Sequence, residues 1–323
     1  MFYSVDTYNF FIPSGISLFA LLQVVVAVIS LLSGCFVVFL AVFKTPKPLE
    51  VFRISLLSLT TATMLFSLSV IVTNPVFVMF PKLYCLEIVG FMQSEVVMAS
   101  VGAATILMIA FDIALSFVFR YIQIVHSKLA PSLKSKKFLF FLILVHLSIL
   151  GVAFAFVLVA RVQLTDRNLS PEFDRPVRDL IERRNAFLCV SFEKPPRSIV
   201  SFLFLAWCSL SALVIAICSI LIVRKLRSQR MIISKRTFEL QKMMIVVVFS
   251  SAALPFLFGI LPLCVLVAAF KLFPNLLGFW INFESFINNF QFFMCNVLSI
   301  IFLRPYRKVM IHWIRRFPGQ SRE

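Results

Sequence analysis

Three carboxylates, Glu95, Asp112 and Glu284, stand inside long runs of apolar residues. An ionised side chain in such a setting is costly and marks a functional position by default. Gln93 lies beside Glu95, and Asn288 follows Glu284 by four residues, which places the two on one helix face. Acid and amide groups so spaced can recognise a polar or cationic small molecule, share one proton, or serve as hydrogen-bond glue between helices. Cys85 and Cys189 differ from the other five cysteines in lying outside the apolar runs, and a bridge between them would clasp the intervening chain. Asn168-Leu169-Ser170 is a glycosylation sequon in the same polar connection as Cys189. The three histidines, His126, His146 and His312, form no H-E-x-x-H pair, so neither a metal, a cofactor nor an enzymatic reaction is expected.

The elements that must position these groups are seven apolar blocks, at 17–43, 54–80, 88–119, 138–160, 199–223, 243–270 and 279–303. Crossing a hydrocarbon layer about 30 Å thick takes about 20 helical residues, and each block is long enough. With 61% hydrophobic and 14% charged residues, no water-soluble fold could bury this much apolar side chain. The blocks lack the alternation of barrel strands, so the expected fold is all-α: one integral membrane domain over residues 1–323, a bundle of seven transmembrane helices.

Charge sets the expected topology. Of 31 basic residues, 21 fall on the connections after blocks one, three and five and on the tail 304–323. By the positive-inside rule that side is cytoplasmic, which puts the N-terminus outside and the C-terminus inside. The 161–198 connection, with eight basic and six acidic residues, is then extracellular. The net charge of +17 faces anionic lipid and gives no reason to invoke nucleic acid.

Prolines mark sites of bending. Asn74-Pro75 interrupts the second block, and Pro255 and Pro262 interrupt the sixth, where a kink would let the inner end swing. In the tail, Tyr306, Val309, Met310, Trp313, Ile314 and Phe317 share one helical face and basic residues the other, the pattern of a helix lying in the headgroup layer. A conformational switch and a transport path, in a transporter or ligand-gated channel, both remain open on these residues.

Three stretches carry a family likeness: Phe43-Lys44-Thr45-Pro46-Lys47, Thr237-Phe238-Glu239-Leu240-Gln241-Lys242 leading into Pro255, and Arg304-Pro305-Tyr306-Arg307. In order, and at matching helix ends, they resemble the nematode serpentine chemoreceptors of the Str superfamily, class H most closely. The chain departs from that class at Val118-Phe119-Arg120-Tyr121, where an acidic-Asn-Arg run is usual, and around Gln291-Phe292. The resemblance implies a chemosensory G-protein-coupled receptor in the plasma membrane of sensory-neuron cilia. Such a receptor binds a small-molecule or odorant cue in the outer half of the bundle and activates a heterotrimeric G protein inside. Arg120 would then be a conformational lock, with Asp112, eight residues earlier and poorly aligned with it, as a candidate partner.

Overall fold

The structure, a computed structural model, describes residues 18–45, 50–80, 83–88, 95–160, 187–190, 197–229, 235–255, 257 and 277–316. Its helices are α1 (Leu18–Phe43), α2 (Glu50–Thr73), α3 (Glu95–Val125), α4 (Lys136–Ala160), α5 (Arg197–Gln229), α6 (Lys235–Pro255), α7 (Leu277–Phe302) and α8 (Arg304–Arg316). A 3-10 segment, Ser127–Lys134, joins α3 to α4. Among the described residues, α1 to α5 are each long and apolar enough to cross a bilayer alone; α7 joins them when taken with α8, from which it is bent by 90°. In lipid every backbone amide must find its partner within the segment, which is why these unbroken apolar stretches are helical.

Two blocks end differently from the sequence expectation. The second, expected to stay helical to residue 80, stops at Thr73. Pro75 has no N–H to donate and crowds the residue before it out of the α region. Asn74 takes the left-handed conformation, φ 41°, which asparagine tolerates better than most residues. Beyond it the apolar run continues extended, as β1 (Pro75–Phe80), β2 (Leu83–Ile88) and, from far along the chain, β3 (Phe187–Val190). These pair antiparallel in the order β1-β2-β3, with Cys85 directly opposite Cys189. The third block accordingly starts at Glu95 instead of residue 88 and runs on to Val125.

At their polar ends α5 and α6 reach past the expected bounds of 223 and 243, into basic stretches that hydropathy alone leaves out. Pro255 closes the described part of α6, while Pro262 lies outside the described residues.

α3 is the central helix. It packs against α2, α4, α5 and α6, and 56% of its apolar span is buried against 17% for α5. α7 closes the ring onto α1 and also holds α6. Leu40, Phe52, Phe117, Ile149, Ile222, Val248, Phe292 and Tyr306, one from each of the eight helices, belong to one core. The outward faces of α4 and α5 carry exposed Phe140, Phe141, Val152, Phe202 and Leu203, the surface that lipid solvates. Between α1 and α2 the approach is close because residue 34 is glycine: a Cβ there would meet Met64 Cγ at 2.6 Å. Polar side chains tie the same region. Asn296 of α7 donates to Ser30 O at 3.3 Å and Ser33 Oγ at 3.0 Å, and Ser67 of α2 donates to Ser30 Oγ at 3.1 Å.

Candidate functional site

Midway along the apolar spans, three helices meet through one carboxylate. Asp112 lies midway along the apolar span Ala99–Val125, not near one end as its block suggested, because α3 is shifted toward the C-terminus. Its side chain is 1% exposed. Ser58 of α2 donates its hydroxyl to Oδ1 at 2.8 Å, and His146 of α4 places Nε2 3.2 Å from Oδ1 and 3.3 Å from Oδ2. The other ring nitrogen, Nδ1, is 2.8 Å from the carbonyl oxygen of Leu142 one turn earlier. Phe111 lies edge-on to His146 at 5.7 Å and stacks on Trp207 of α5, whose indole N–H donates to Leu107 O at 3.4 Å. One turn along α3, Ser116 donates to Asp112 O at 2.7 Å and shares a 2.6 Å hydrogen bond with Ser55 of α2.

A second polar group lines a small cavity between α2, α3 and α7. Thr60, Thr63, Gln291, Asn296 and Ser299 face it together with Ile109 and Phe292. It has room for about one water molecule, far too little for an organic cue. Gln291 Oε1 is buried and has no protein partner.

Toward the end of the bundle that bears α8, Arg120 is 2% exposed. Its guanidinium lies 4.4 Å over the Phe52 ring, Nη1 donates to Gln123 Oε1, and Nη2 has no partner. The pairing expected with Asp112 is therefore not formed: the carboxylate is two turns away along α3 and engaged by Ser58 and His146. Residues i and i+8 on one helix are too far apart for a direct contact.

α8 is locked to this end by the three stretches that carried the family likeness. Thr45 Oγ1 and Tyr306 Oη share a 2.6 Å hydrogen bond, Arg304 lies 3.9 Å from Glu239, and the Arg304 amide donates to Met243 Sδ at 3.4 Å. Burial pushes the Tyr306 phenol above its ordinary range, partly offset by the Thr45 hydrogen bond and the charge of Arg53. The phenol thus stays a neutral hydroxyl in the contact. Tyr306→Phe and Thr45→Val should each lower stability by about 1 kcal/mol, and the double variant by no more than either alone. Melting of the purified protein reads this directly; additive losses would show that the two hydroxyls act independently.

Of the remaining sites expected from sequence, Glu95 is the first residue of α3 rather than a group well below its end, and Glu284 and Asn288 lie on α7, with Asn288 half-buried. Gln93 and Asn168 lie outside the described residues. Cys35, Cys208, Cys218 and Cys295 are unbridged thiols within the helices. Among the described residues no three His, Cys, Asp or Glu side chains cluster as a metal site requires. Sequence reasoning passed over Ser58, His146 and Asn296.

The family described as serpentine type 7TM GPCR chemoreceptor Srh matches residues 16–316, nearly the whole chain. No curated protein matches it.

Proposed function

We propose, from the premise that this chain belongs to the Srh family of serpentine 7TM chemoreceptors, that it detects a small-molecule cue on one side of the membrane and activates a heterotrimeric G protein on the other. The observation that carries the reading is the family match over residues 16–316. The sheet end of the bundle faces outside and the α8 end faces the cytoplasm, as the distribution of basic residues requires. The receptor sits in the plasma membrane of chemosensory neurons, at their cilia. Glu95, Gln93, Glu284 and Asn288 belong to the outer half in this orientation and contact the cue, while Asn168 carries a glycan on the outer connection.

A bridge between Cys85 and Cys189 closes the outer face. The sheet register supports it: residues directly opposed in an antiparallel pair have Cα atoms about 4.5 to 5.5 Å apart, within the range a disulfide spans. On the inner side, Arg120 acts from within the bundle as the conformational lock, and the 224–242 connection, together with the connection after α3, is the surface offered to the G protein. The prolines of α6, Pro255 and Pro262, give the bend about which its inner end moves.

The test is expression in cells carrying a G-protein activation reporter, screened with volatile and soluble compounds. A cue that activates the reporter supports the reading; a cue-evoked current that persists with all G proteins blocked overturns it in favour of a channel. Once a cue is found, Glu95→Gln or Glu284→Gln should shift its half-maximal concentration about tenfold, the worth of one buried charged contact. An unchanged dose response in both variants would remove these residues from the cue site.

A further inference from the structure

We propose that Asp112 and His146 together bind one proton at the middle of the bundle, and that this proton is what fastens α4 to α3. His146 Nδ1, 2.8 Å from the Leu142 carbonyl oxygen, must carry a hydrogen, because a carbonyl can only accept. Nε2 then lies 3.2 Å and 3.3 Å from the two oxygens of Asp112. A bare Nε2 facing an ionised carboxylate sets lone pair against lone pair, so the contact requires one more hydrogen between them. Either the imidazole carries it, giving an imidazolium and a carboxylate, or the carboxyl carries it and donates to a neutral imidazole. Both arrangements have no net charge. Removing the proton leaves one negative charge, 1% exposed, midway through the membrane.

Among the described residues no other group neutralises that charge. Ser58 on α2 and Phe111 on α3 touch the pair, and Trp207 on α5 stacks on Phe111; none of them is ionised. Cys208 follows Trp207 on α5 as a free thiol. On the three helices the pair joins, the nearest charges are Arg53, Arg120 and Lys137, each more than a turn away along its own helix, and Arg120 is held by Gln123 and Phe52. Ser58, donating to Oδ1, supports the carboxylate in either arrangement and brings α2 into the same junction. The proton thus joins three helices, and α4, whose other faces are largely exposed to lipid, depends on it most.

Around neutral pH a solvated His–Asp pair holds fewer protons than this one, because free histidine is mostly deprotonated above about pH 6.5. Folding therefore takes up a proton, and the folded state must weaken as pH rises. The experiment is the SDS-titrated folding equilibrium of the purified full-length protein in detergent, measured between about pH 6 and 9. One proton taken up corresponds to about a tenfold loss per pH unit. Asp112→Asn should abolish that component, because its amide can donate to a neutral His146 and still accept from Ser58. A wild-type pH slope retained in Asp112→Asn overturns the proposal. Should that variant fail to fold, the double variant Asp112→Asn/His146→Gln, in which neither side chain titrates, gives the same comparison. The infrared spectrum of the wild type decides independently of any variant: an ionised carboxylate beside a neutral imidazole at neutral pH overturns the proposal, and a protonated member of the pair supports it.

Discussion

Serine at either Cys85 or Cys189 should destabilise the protein by about 2 to 5 kcal/mol, and serine at both by no more than at one. The chain between them is about 100 residues long, so a bridge removes the conformational freedom of a large loop from the unfolded ensemble, worth nearly 5 kcal/mol in the chain-entropy description. β3 is only four residues long, follows α4 after a long polar connection, and among the described residues pairs with β2. Losing the bridge should free β3 from β2. Melting with and without a thiol reductant gives the reading. Wild type should fall to the level of the single variants on reduction, and the variants should be insensitive to it. Additive losses, or a wild type indifferent to reductant under unfolding conditions, would show that the two thiols are separate.

Hydropathy located the helices because each must satisfy its own backbone in lipid, and that requirement is written into composition. It could not locate their ends. Val76-Phe77-Val78-Met79-Phe80 is as apolar as the helix before it, so only Asn74-Pro75 carried the information that the helix stops, and a proline inside a membrane helix often marks no more than a kink. At the opposite ends of α5 and α6, basic residues continue the helix beyond the apolar block, where the periodicity of charge is too weak to show it.

The same error in bounds hid part of the polar junction. Placed in the block 88–119, Asp112 reads as a group near one membrane face; in the helix Glu95–Val125 it is at the middle and must be neutralised from a neighbouring helix. His146 was legible as its partner by depth. Counted from the ends that the 3-10 segment joins, the two lie at similar distances along α3 and α4, and a histidine within an apolar run needs a partner as much as an acid does. Attention to carboxylates alone missed it. The small hydroxyls and Asn296 were illegible for another reason: one serine among many in apolar helices has no distinguishing neighbour, and which of them meet depends on helix rotation, which sequence does not fix. The three stretches that carry the family likeness were visible as motifs, yet nothing in their spacing said that Thr45, Glu239, Arg304 and Tyr306 come together at one place.

Leucine at Arg120 should make the protein more stable and the receptor silent. The guanidinium is buried with one hydrogen bond, to Gln123, and a face-on contact with Phe52, while Nη2 donates to nothing. A desolvated cation over a ring gains about 2 kcal/mol, and one hydrogen bond to a charged donor about as much. Against these stand an unpaired buried donor, at about 1 to 3 kcal/mol, and the desolvation of a charge with no carboxylate beside it, at several more. The balance is unfavourable, so an apolar side chain of comparable reach should raise stability by about 1 kcal/mol even after some packing is lost. A residue kept at the expense of stability is serving something else. Under the proposed function that role is the conformational lock beneath the coupling surface, and G-protein activation, constitutive or cue-evoked, should fall by more than tenfold at unchanged surface expression. Phe52→Leu is the control: it removes the ring but leaves the charge, and should lower stability while sparing part of the signal. If Arg120→Leu melts earlier than wild type, the arginine is a structural post and its loss of signal has no bearing on coupling.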